Sequence, residues 1–496
     1  MQDLTKEQNE AVTMSGKRCC LIAGAGSGKT HTLTARIARD AMTAATETMV
    51  VVTFTNAAAN ELRERLHALA LQPERFRHIG TLHSWATKEA FRLGVHAAIA
   101  TPKQIGEATT FVKKRLGAMA RNMSSAEIWR WAIKPPPYGN GRAAGIAMRN
   151  ALLERGLTHH DLILAGFAEA VAKGRVNAPA RIYVDEYQDS APVDAEIYNL
   201  FGILGASLYF IGDPRQSIYG FRGATPLNLA QAWDRADARA LLTSNFRSAP
   251  EICEFASDIA WRMEGMDFGI HLTAARDRPG TVERFSYQSE PEEMLAAREW
   301  VERHQAAGKS VAVLARYNAQ AKAAAMILRA AGIATTCSAD TPEADPKEDL
   351  ATSIAKIQTF GHIATSPEAW QRIMTHLGVP FANQDALMPD LKECRTPSAL
   401  ASLGTASEPL RPQEGTVAVA TIHAAKGLEW DSVWLMGADQ NAFRAGAEDQ
   451  EAGRMLYVAI TRARRHMAIS HAASRPQPES GKLLTNQTLT SWLATA

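Results

Sequence analysis

Residues 23–30 read Ala23-Gly24-Ala25-Gly26-Ser27-Gly28-Lys29-Thr30, and they follow a short apolar run at residues 18–23, RCCLIA. A helical pattern through Leu33, Ile37 and Met42 begins directly after them. Glycines let consecutive backbone N–H groups point at phosphate oxygens, and the N-terminus of the next helix adds its dipole. The stretch therefore predicts a phosphate-binding loop between a strand and a helix.

Lys29 and Thr30 give this loop its expected chemistry. The Lys29 ammonium would neutralise the β- and γ-phosphates of a nucleoside triphosphate, and the Thr30 hydroxyl would hold Mg²⁺. All eight residues from Ala23 to Thr30 are expected to contact the nucleotide. Ala23 departs from the strict phosphate-loop pattern, which has glycine at that position.

A second apolar run supplies the carboxylates that such a loop needs. Residues 181–184 (RIYV) lead directly into Asp185 and Glu186. Asp185 is expected to hold Mg²⁺, and Glu186 to orient and deprotonate the attacking water. The loop and the two carboxylates together predict nucleoside triphosphate hydrolysis.

Further short apolar runs predict an α/β fold. Strands are expected at residues 49–54, 208–211, 311–314, 417–420 and 433–436, and a helix at 56–69. Strand–loop–helix units of this kind imply parallel sheets that are covered on both faces. A chain of 496 residues is also too long for a single core.

The charge of the chain limits how it can bind nucleic acid. Lys and Arg total 54 against 52 Asp and Glu, a net charge of +2, so any such contact must come from a local basic face. Residues 103–155 hold ten basic and three acidic side chains, a local net charge of +7. This region is either a solvated helical face or a surface that contacts phosphates.

The remaining composition indicates a cytoplasmic protein. The cysteines are few and scattered, with no CxxC spacing, which argues against a disulfide framework or a cysteine-based metal site. The first ten residues, MQDLTKEQNE, have no apolar signal core, and no apolar stretch approaches the ~20 residues that span a bilayer. No membrane partner is expected.

Five further motifs are more specific than the phosphate loop. In chain order they are residues 185–189 (DEYQD), 212–224 (GDPRQSIYGFRGA), 244–248 (SNFRS), 421–430 (TIHAAKGLEW) and 457–463 (YVAITRA). In order and wording this set resembles the UvrD/Rep-like helicases of superfamily 1, from Leu4 to about Ile469.

The resemblance implies two RecA-like P-loop NTPase core domains with parallel sheets and helical insertion subdomains. We expect the first, ATP-binding core at 1–86 and 176–278, and a basic helical insertion at 87–175. The second core is expected at 279–337 and 413–496. A reduced helical insertion with an acidic linker would occupy 338–412.

The resemblance also implies roles around ATP. Gln216 would sense the γ-phosphate, and Arg247 and Arg462, supplied by the second core, would stabilise charge in the transition state. Gln8 would read the adenine edge and Phe246 would stack on the adenine, while Glu429 would contact the ribose. Lys29 and Glu186 complete the expected catalytic set.

Single-stranded DNA is the partner that the resemblance implies. Its expected contacts are Phe54, Thr55, Asn56, Thr81, His83, Tyr219, Phe221 and His423. Aromatic side chains among them would stack on bases whatever the base identity. Phe54 also ends an apolar strand, so a place in the core is its alternative.

Three departures from the family pattern bear on function. His31 stands where relatives place an arginine near the adenine, and Ala57 where they often have lysine. The second insertion is also short, which leaves binding of a junction between single- and double-stranded DNA in question.

The function expected is an ATP-dependent DNA helicase or translocase that moves 3′ to 5′ on single-stranded DNA. The alternative is a nucleic-acid-sensing ATPase in a larger defence or phage assembly that regulates a partner nuclease. A repair factor is the other protein partner considered.

Overall fold

The fold was determined from a computed structural model, which describes residues 4–43, 47–69, 71, 73–136, 138–263, 268–339, 415–444, 450–476 and 483–493. The reduced insertion expected at 338–412 lies outside the described residues except for its first two positions. The described chain forms two parallel sheets with helices against them, as the sequence predicted.

The first sheet has six parallel strands in the order β3-β2-β6-β7-β1-β8. The strands are β1 (Arg18–Ala23), β2 (Met49–Val52), β3 (Phe76–Gly80), β6 (Arg181–Val184), β7 (Ser207–Gly212) and β8 (Ala238–Leu242). Four of them, β1, β2, β6 and β7, match the predicted runs closely, since parallel strands that are buried on both faces are mostly apolar.

Both faces of this sheet are covered. Leu21 and Val51 pack on one side against helices α1 (Lys6–Thr13), α2 (Lys29–Thr43) and α3 (Asn56–Ala68). Their strand neighbours Ile22 and Val52 face the opposite side. That side is covered by α4 (Leu82–Arg92), α8 (His160–Ala172), α9 (Pro192–Ile203) and α10 (Leu227–Asp234). The alternation follows from the two-residue period of a strand.

A helical unit is inserted between β3 and β6. It comprises α5 (Pro102–Leu116), α6 (Ser125–Ile133), α7 (Asn140–Leu153) and the short parallel pair β4 (Ala98–Ile99) and β5 (Leu157–Thr158). Its helices enclose a separate apolar cluster that includes Val112, Ile128 and Met148. Most of the basic side chains of 103–155 lie on its exposed surface.

The second sheet has seven strands. Its parallel order is β11-β16-β15-β12-β14-β13, and β17 pairs antiparallel with β16. The strands are β11 (Thr281–Ser289), β12 (Val311–Ala315), β13 (Thr335–Cys337), β14 (Val417–Thr421), β15 (Trp430–Leu435), β16 (Ala463–Pro476) and β17 (Leu483–Leu484). Helices α12 (Glu290–Ala306) and α13 (Asn318–Ala330) cover one face. Helix α14 (Gln450–Ile460) packs on the other face, in an apolar cluster that also reaches the first sheet.

The contacts of helix α11 (Pro250–Trp261) indicate the boundary between the two cores. The helix follows β9 (Ser244–Asn245), which pairs with β10 (Thr273–Ala274), and it packs against α14, β11 and β16. These contacts lie with the second sheet, so we propose that the first core ends near residue 243 rather than at 278. Arg247 would then belong to the second core.

Candidate active site

The predicted functional segments meet at one edge of the first sheet. The loop at 24–28 follows β1, Asp185 follows β6, and the segment that begins at Asp213 follows β7. Residues 53–56 follow β2, and Thr81 follows β3. Because all six strands are parallel, these segments lie at the carboxyl ends of the strands, where open α/β sheets bind ligands.

The phosphate loop is shaped by glycine at its two tightest points. Gly26 (φ +69°) and Gly28 (φ +81°) have left-handed backbone angles. A Cβ at Gly26 would lie 2.9 Å from the Cβ of Arg247, and one at Gly28 would lie 2.8 Å from the Nε2 of Gln8. Ala23 is the fully buried last residue of β1, so its methyl group belongs to the core rather than to the turn.

Lys29 begins α2 and reaches across to the carboxylates that follow β6. Its Nζ lies 3.2 Å from Glu186 Oε2. Burial lowers the pKa of Lys29, but Glu186, Asp213 and Asp185 outweigh this effect and hold the pKa above its ordinary value. Lys29 therefore lies among the acidic side chains that follow β6 and β7.

Asp185 and Glu186 are adjacent but differ in environment. Burial and the charge of Glu186 raise the pKa of Asp185. Burial also acts to raise the pKa of Glu186, yet Lys29 and Lys426 hold it well below its usual range. The pKa values of the two carboxyl groups are therefore shifted in opposite directions, a pattern that is frequent at catalytic sites.

Glu186 has a left-handed backbone, with φ +52° and ψ +43°. A non-glycine residue in this region is strained by roughly 1–3 kcal/mol. The Gln188 side chain donates a hydrogen bond to Glu186 Oε2 and accepts one from the backbone N–H of Asp213 at 3.0 Å. Gln188 is fully buried and fixes the direction of the Glu186 carboxylate.

Gln216 joins the two sheets. Its Nε2 donates to Asp213 Oδ2 at 2.7 Å, and its Oε1 accepts from Arg462 Nη2 at 3.4 Å. Arg462 is almost fully buried and also donates to the carbonyl oxygens of Val458 and Leu428. Burial, together with the charge of Arg247, lowers the pKa of the Arg462 guanidinium.

Arg247 and Glu429 form an ion pair beside the cleft. The Arg247 side chain donates to Glu429 through Nε and to the carbonyl oxygen of Thr461 at 3.0 Å. Arg464 also binds Glu429, at 2.7 Å. Burial acts to raise the pKa of Glu429, but the two guanidinium groups hold it below its usual range. The predicted ribose contact is therefore bound by arginines in this structure.

Gln8 and Phe246 lie on either side of the phosphate loop. Gln8 Nε2 donates to the carbonyl oxygen of Ser27 at 3.2 Å, and its Oε1 accepts from the Thr5 backbone N–H. The backbone N–H of Phe246 donates to the carbonyl oxygen of Gly26 at 2.9 Å. Both predicted adenine contacts are therefore next to the loop, and Gln8 is engaged with the protein.

A group of aromatic rings lies beside the nucleotide segments. The rings of Phe54 and Tyr219 stack with centroids 4.8 Å apart, and Phe221 meets His423 edge-on at 5.5 Å. Phe221 is 70% exposed, and Phe54 is partly exposed rather than in the core. Tyr219 contacts both Phe221 and His423, so the four rings form one patch, which we name the aromatic patch.

The other predicted DNA contacts lie at helix N-termini. Thr55 caps α3, with its hydroxyl accepting from the Ala58 N–H, and Asn56 is the exposed first residue of that helix. Thr81 caps α4 in the same way. His83 lies in the first turn of α4, and its ring is 5.7 Å from that of His160. Helix N-termini are suited to phosphate oxygens because their N–H groups have no partner within the helix.

Comparison with known proteins identifies the family of the chain. The chain matches the UvrD/REP helicase N-terminal domain over residues 4–124 and 150–237, and the UvrD-like helicase C-terminal domain over 382–474. It is 30% identical to the ATP-dependent DNA helicase UvrD2 of Mycobacterium tuberculosis over 557 aligned positions, which cover 95% of this chain and 79% of the relative. The chain belongs to the UvrD/Rep helicase family.

Other relatives in the family are more distant. The putative ATP-dependent DNA helicase YjcD of Bacillus subtilis is 24% identical, covering 95% of this chain and 79% of the relative. The ATP-dependent DNA helicase PcrA of Staphylococcus epidermidis is 27% identical, covering 65% of this chain and 49% of the relative. As a UvrD-like helicase, the chain is an ATP-hydrolysing enzyme that acts on DNA. Within the described ranges, no helix is long and apolar enough to cross a membrane.

Two residues of this UvrD-like site were not predicted from the sequence. Gln188 lies within the motif at 185–189, but the motif alone predicts no role for it. Tyr457 is fully buried, and its hydroxyl accepts from the Ala25 N–H at 3.4 Å and lies 3.4 Å from Asp213 Oδ2. Their presence inside the motifs at 185–189 and 457–463 was the available signal.

Proposed function

We propose that this chain is a motor that translocates 3′ to 5′ on single-stranded DNA and hydrolyses ATP between the two sheets. The observation that carries the proposal is the short segment from Gln216 to Phe221. Gln216 contacts Arg462 in the cleft, and Phe221 presents an exposed ring in the aromatic patch. Only four residues, 217–220, therefore separate the nucleotide side from the DNA side.

The nucleotide would lie on the loop at 24–28, with its phosphates at Lys29. Thr30 and Asp185 would hold Mg²⁺, which neutralises phosphate charge when bound. Among the described residues no three acidic, histidine or cysteine side chains form a metal cage, as expected for an ion that takes several of its ligands from phosphate and water.

The Lys29–Glu186 ion pair suggests how the Glu186 carboxylate is held before a nucleotide binds. Phosphate oxygens would compete with Glu186 for the Lys29 ammonium. Glu186 would then be available to accept a proton from the attacking water, while Gln188 keeps its carboxylate in position. Arg247 and Arg462 would stabilise the charge that develops on the transferred phosphoryl group.

The aromatic patch would stack on bases of the single strand, with the N-termini of α3 and α4 beside its phosphates. Stacking contributes ~1–3 kcal/mol per base and is indifferent to sequence, which a motor requires. The basic insertion at 87–175 would flank the same strand. A role in replication or repair is common for this family.

Displacement of streptavidin from biotinylated oligonucleotides tests this proposal. We expect ATP-dependent displacement from the 5′ end, which a 3′-to-5′ motor reaches, and little from the 3′ end. The reverse preference would contradict the direction. Failure at both ends, with ATP turnover that ignores DNA, would instead favour the ATPase subunit of a larger assembly.

A further inference from the structure

Lys426 lies between the nucleotide site and the aromatic patch. It follows β14 of the second sheet, and its side chain is 8% exposed. Its ammonium forms an ion pair with Asp189 and donates to the carbonyl oxygen of Gln216 at 2.6 Å. Both partners follow strands of the first sheet, so this one side chain connects the two sheets.

The same ammonium also contacts one ring of the aromatic patch. Its Nζ lies 4.9 Å from the centroid of the Tyr219 ring, a distance typical of a cation–π interaction. Tyr219 in turn stacks on Phe54. A base that inserts into the patch and displaces the Tyr219 ring would therefore change the surroundings of the Lys426 charge.

Asp189, the ion-pair partner of Lys426, is connected to the proposed catalytic Glu186 through hydrogen bonds of Gln188. Asp189 is fully enclosed, and its Oδ2 accepts from Gln188 Nε2 at 3.4 Å. Gln188 uses the same nitrogen to bind Glu186. Burial raises the pKa of Asp189 to about 6, and Lys426 is the group that most opposes this rise. The charge on Asp189 therefore depends on the position of Lys426.

An ion pair as buried as this one gives little net stability, because both charges lose their hydration. A role in coupling explains its presence better than stabilisation does. The contacts form a continuous path from the Tyr219 ring through Lys426 and Asp189 to the Gln188–Glu186 hydrogen bond. Such a path couples the two sites if the Lys426 side chain has two arrangements and both sites bias the equilibrium between them.

We propose that Lys426 is a positioning residue that couples single-stranded DNA in the aromatic patch to the orientation of Glu186, by way of its ion pair with Asp189. This inference rests on the proposed function. Lys426 contacts neither the reacting phosphate nor the attacking water in this account. Its effect should therefore appear in the ratio of DNA-stimulated to DNA-free ATP turnover rather than in DNA affinity.

The test is the Lys426→Met variant of the full chain, which keeps the apolar stem and removes the charge. Lys322→Met, at an exposed position of α13, is the matched control. ATP turnover is measured without DNA and with saturating oligo-dT, and oligo-dT affinity is measured by fluorescence anisotropy without nucleotide. We expect the stimulation ratio of Lys426→Met to fall roughly tenfold, with little change in affinity.

Two results would overturn the inference. The first is a stimulation ratio equal to that of Lys322→Met. The second is a loss of oligo-dT affinity with full stimulation at saturating DNA, which would make Lys426 an ordinary phosphate contact. If the wild-type chain shows no stimulation at all, the proposed function itself fails, so the two failures are distinguishable.

A double-mutant cycle with Asp189→Asn covers the case in which Lys426→Met folds poorly. Removing the lysine alone leaves a buried carboxylate without its partner, which is costly, whereas the double variant buries no charge. We expect the double variant to recover the thermal midpoint but not the stimulation ratio. Recovery of both would show that the pair serves only the fold.

Discussion

The Nζ of Lys29 lies 3.2 Å from Oε2 of Glu186, so the lysine of the glycine-rich loop neutralises the glutamate that we propose as the base. The pair joins the start of α2 to the end of β6, two elements that are far apart in sequence. It keeps Glu186 ionised, with its pKa lowered, until a phosphate competes for the lysine. The following predictions depend on this arrangement and on its neighbours.

Lys29→Ala should abolish ATP turnover and leave the fold intact. The change removes the charge proposed to bind phosphate. It also leaves Glu186 without its partner, so the thermal midpoint should fall somewhat, but Lys29 lies at the first position of α2 and outside the apolar clusters. Turnover measured beside a circular dichroism spectrum checks this. Turnover close to that of the wild type would refute the assignment of the site.

Glu186 allows a prediction about strain as well as catalysis. Both Glu186→Ala and Glu186→Gly should lack turnover, since each removes the proposed base. Because φ is +52° at this position, the glycine variant should be more stable than the alanine variant by about 1 kcal/mol. Comparison of their unfolding midpoints in urea tests this, and an equally stable alanine variant would argue against the left-handed backbone.

Phe221→Ala should weaken binding of single-stranded DNA by roughly 1–3 kcal/mol, the value of one stacked base. The fold should not change, because the ring is 70% exposed. Trp261→Ala is the control, at an aromatic residue that is 76% exposed on α11. Fluorescence anisotropy with oligo-dT should separate the two variants, and equal affinities would remove Phe221 from the DNA site.

Arg247→Lys should lower ATP turnover by about 10³-fold or more, the effect typical of removing an arginine finger. Arg464→Lys is a matched control because Arg464 binds the same Glu429 carboxylate but has no proposed contact with phosphate. Its effect should be small. Similar losses in both variants would indicate that the shared ion pair, rather than the transition state, needs Arg247.

Removal of Mg²⁺ by a chelator should stop turnover and leave oligo-dT binding in place. Thr30→Ala should raise the Mg²⁺ concentration needed for half-maximal turnover, since it removes one of the two proposed protein ligands. A Mg²⁺ titration of both proteins measures this directly. An unchanged titration curve for Thr30→Ala would exclude its hydroxyl from the metal site.

The sequence predicted the parts of the fold in which local pattern and burial agree. Strand β1 is apolar along its length because both of its faces are covered, and the glycine turn and helix follow without interruption. Strands β3 and β11 were not predicted. They lie at the edges of their sheets and include residues such as His78 and Glu283, so neither reads as an apolar run.

That Lys29 and the carboxylates after β6 come together was predictable from their motifs. The placement of Gln188 and Tyr457 was not, because their roles arise from contacts between segments that are distant in sequence. The Tyr457 hydroxyl meets the phosphate loop only when the two sheets face each other. The ion pair of Lys426 with Asp189 depends on the same long-range arrangement, which no single stretch of sequence encodes.

The most direct test of the central claim is the steady-state rate of ATP hydrolysis with and without single-stranded DNA, with Lys29→Ala as the blank. The account predicts a rate that rises strongly with oligo-dT and reaches a plateau, and a blank that stays at background in both conditions. A wild-type rate that is the same with and without DNA would contradict the coupling of the two sites.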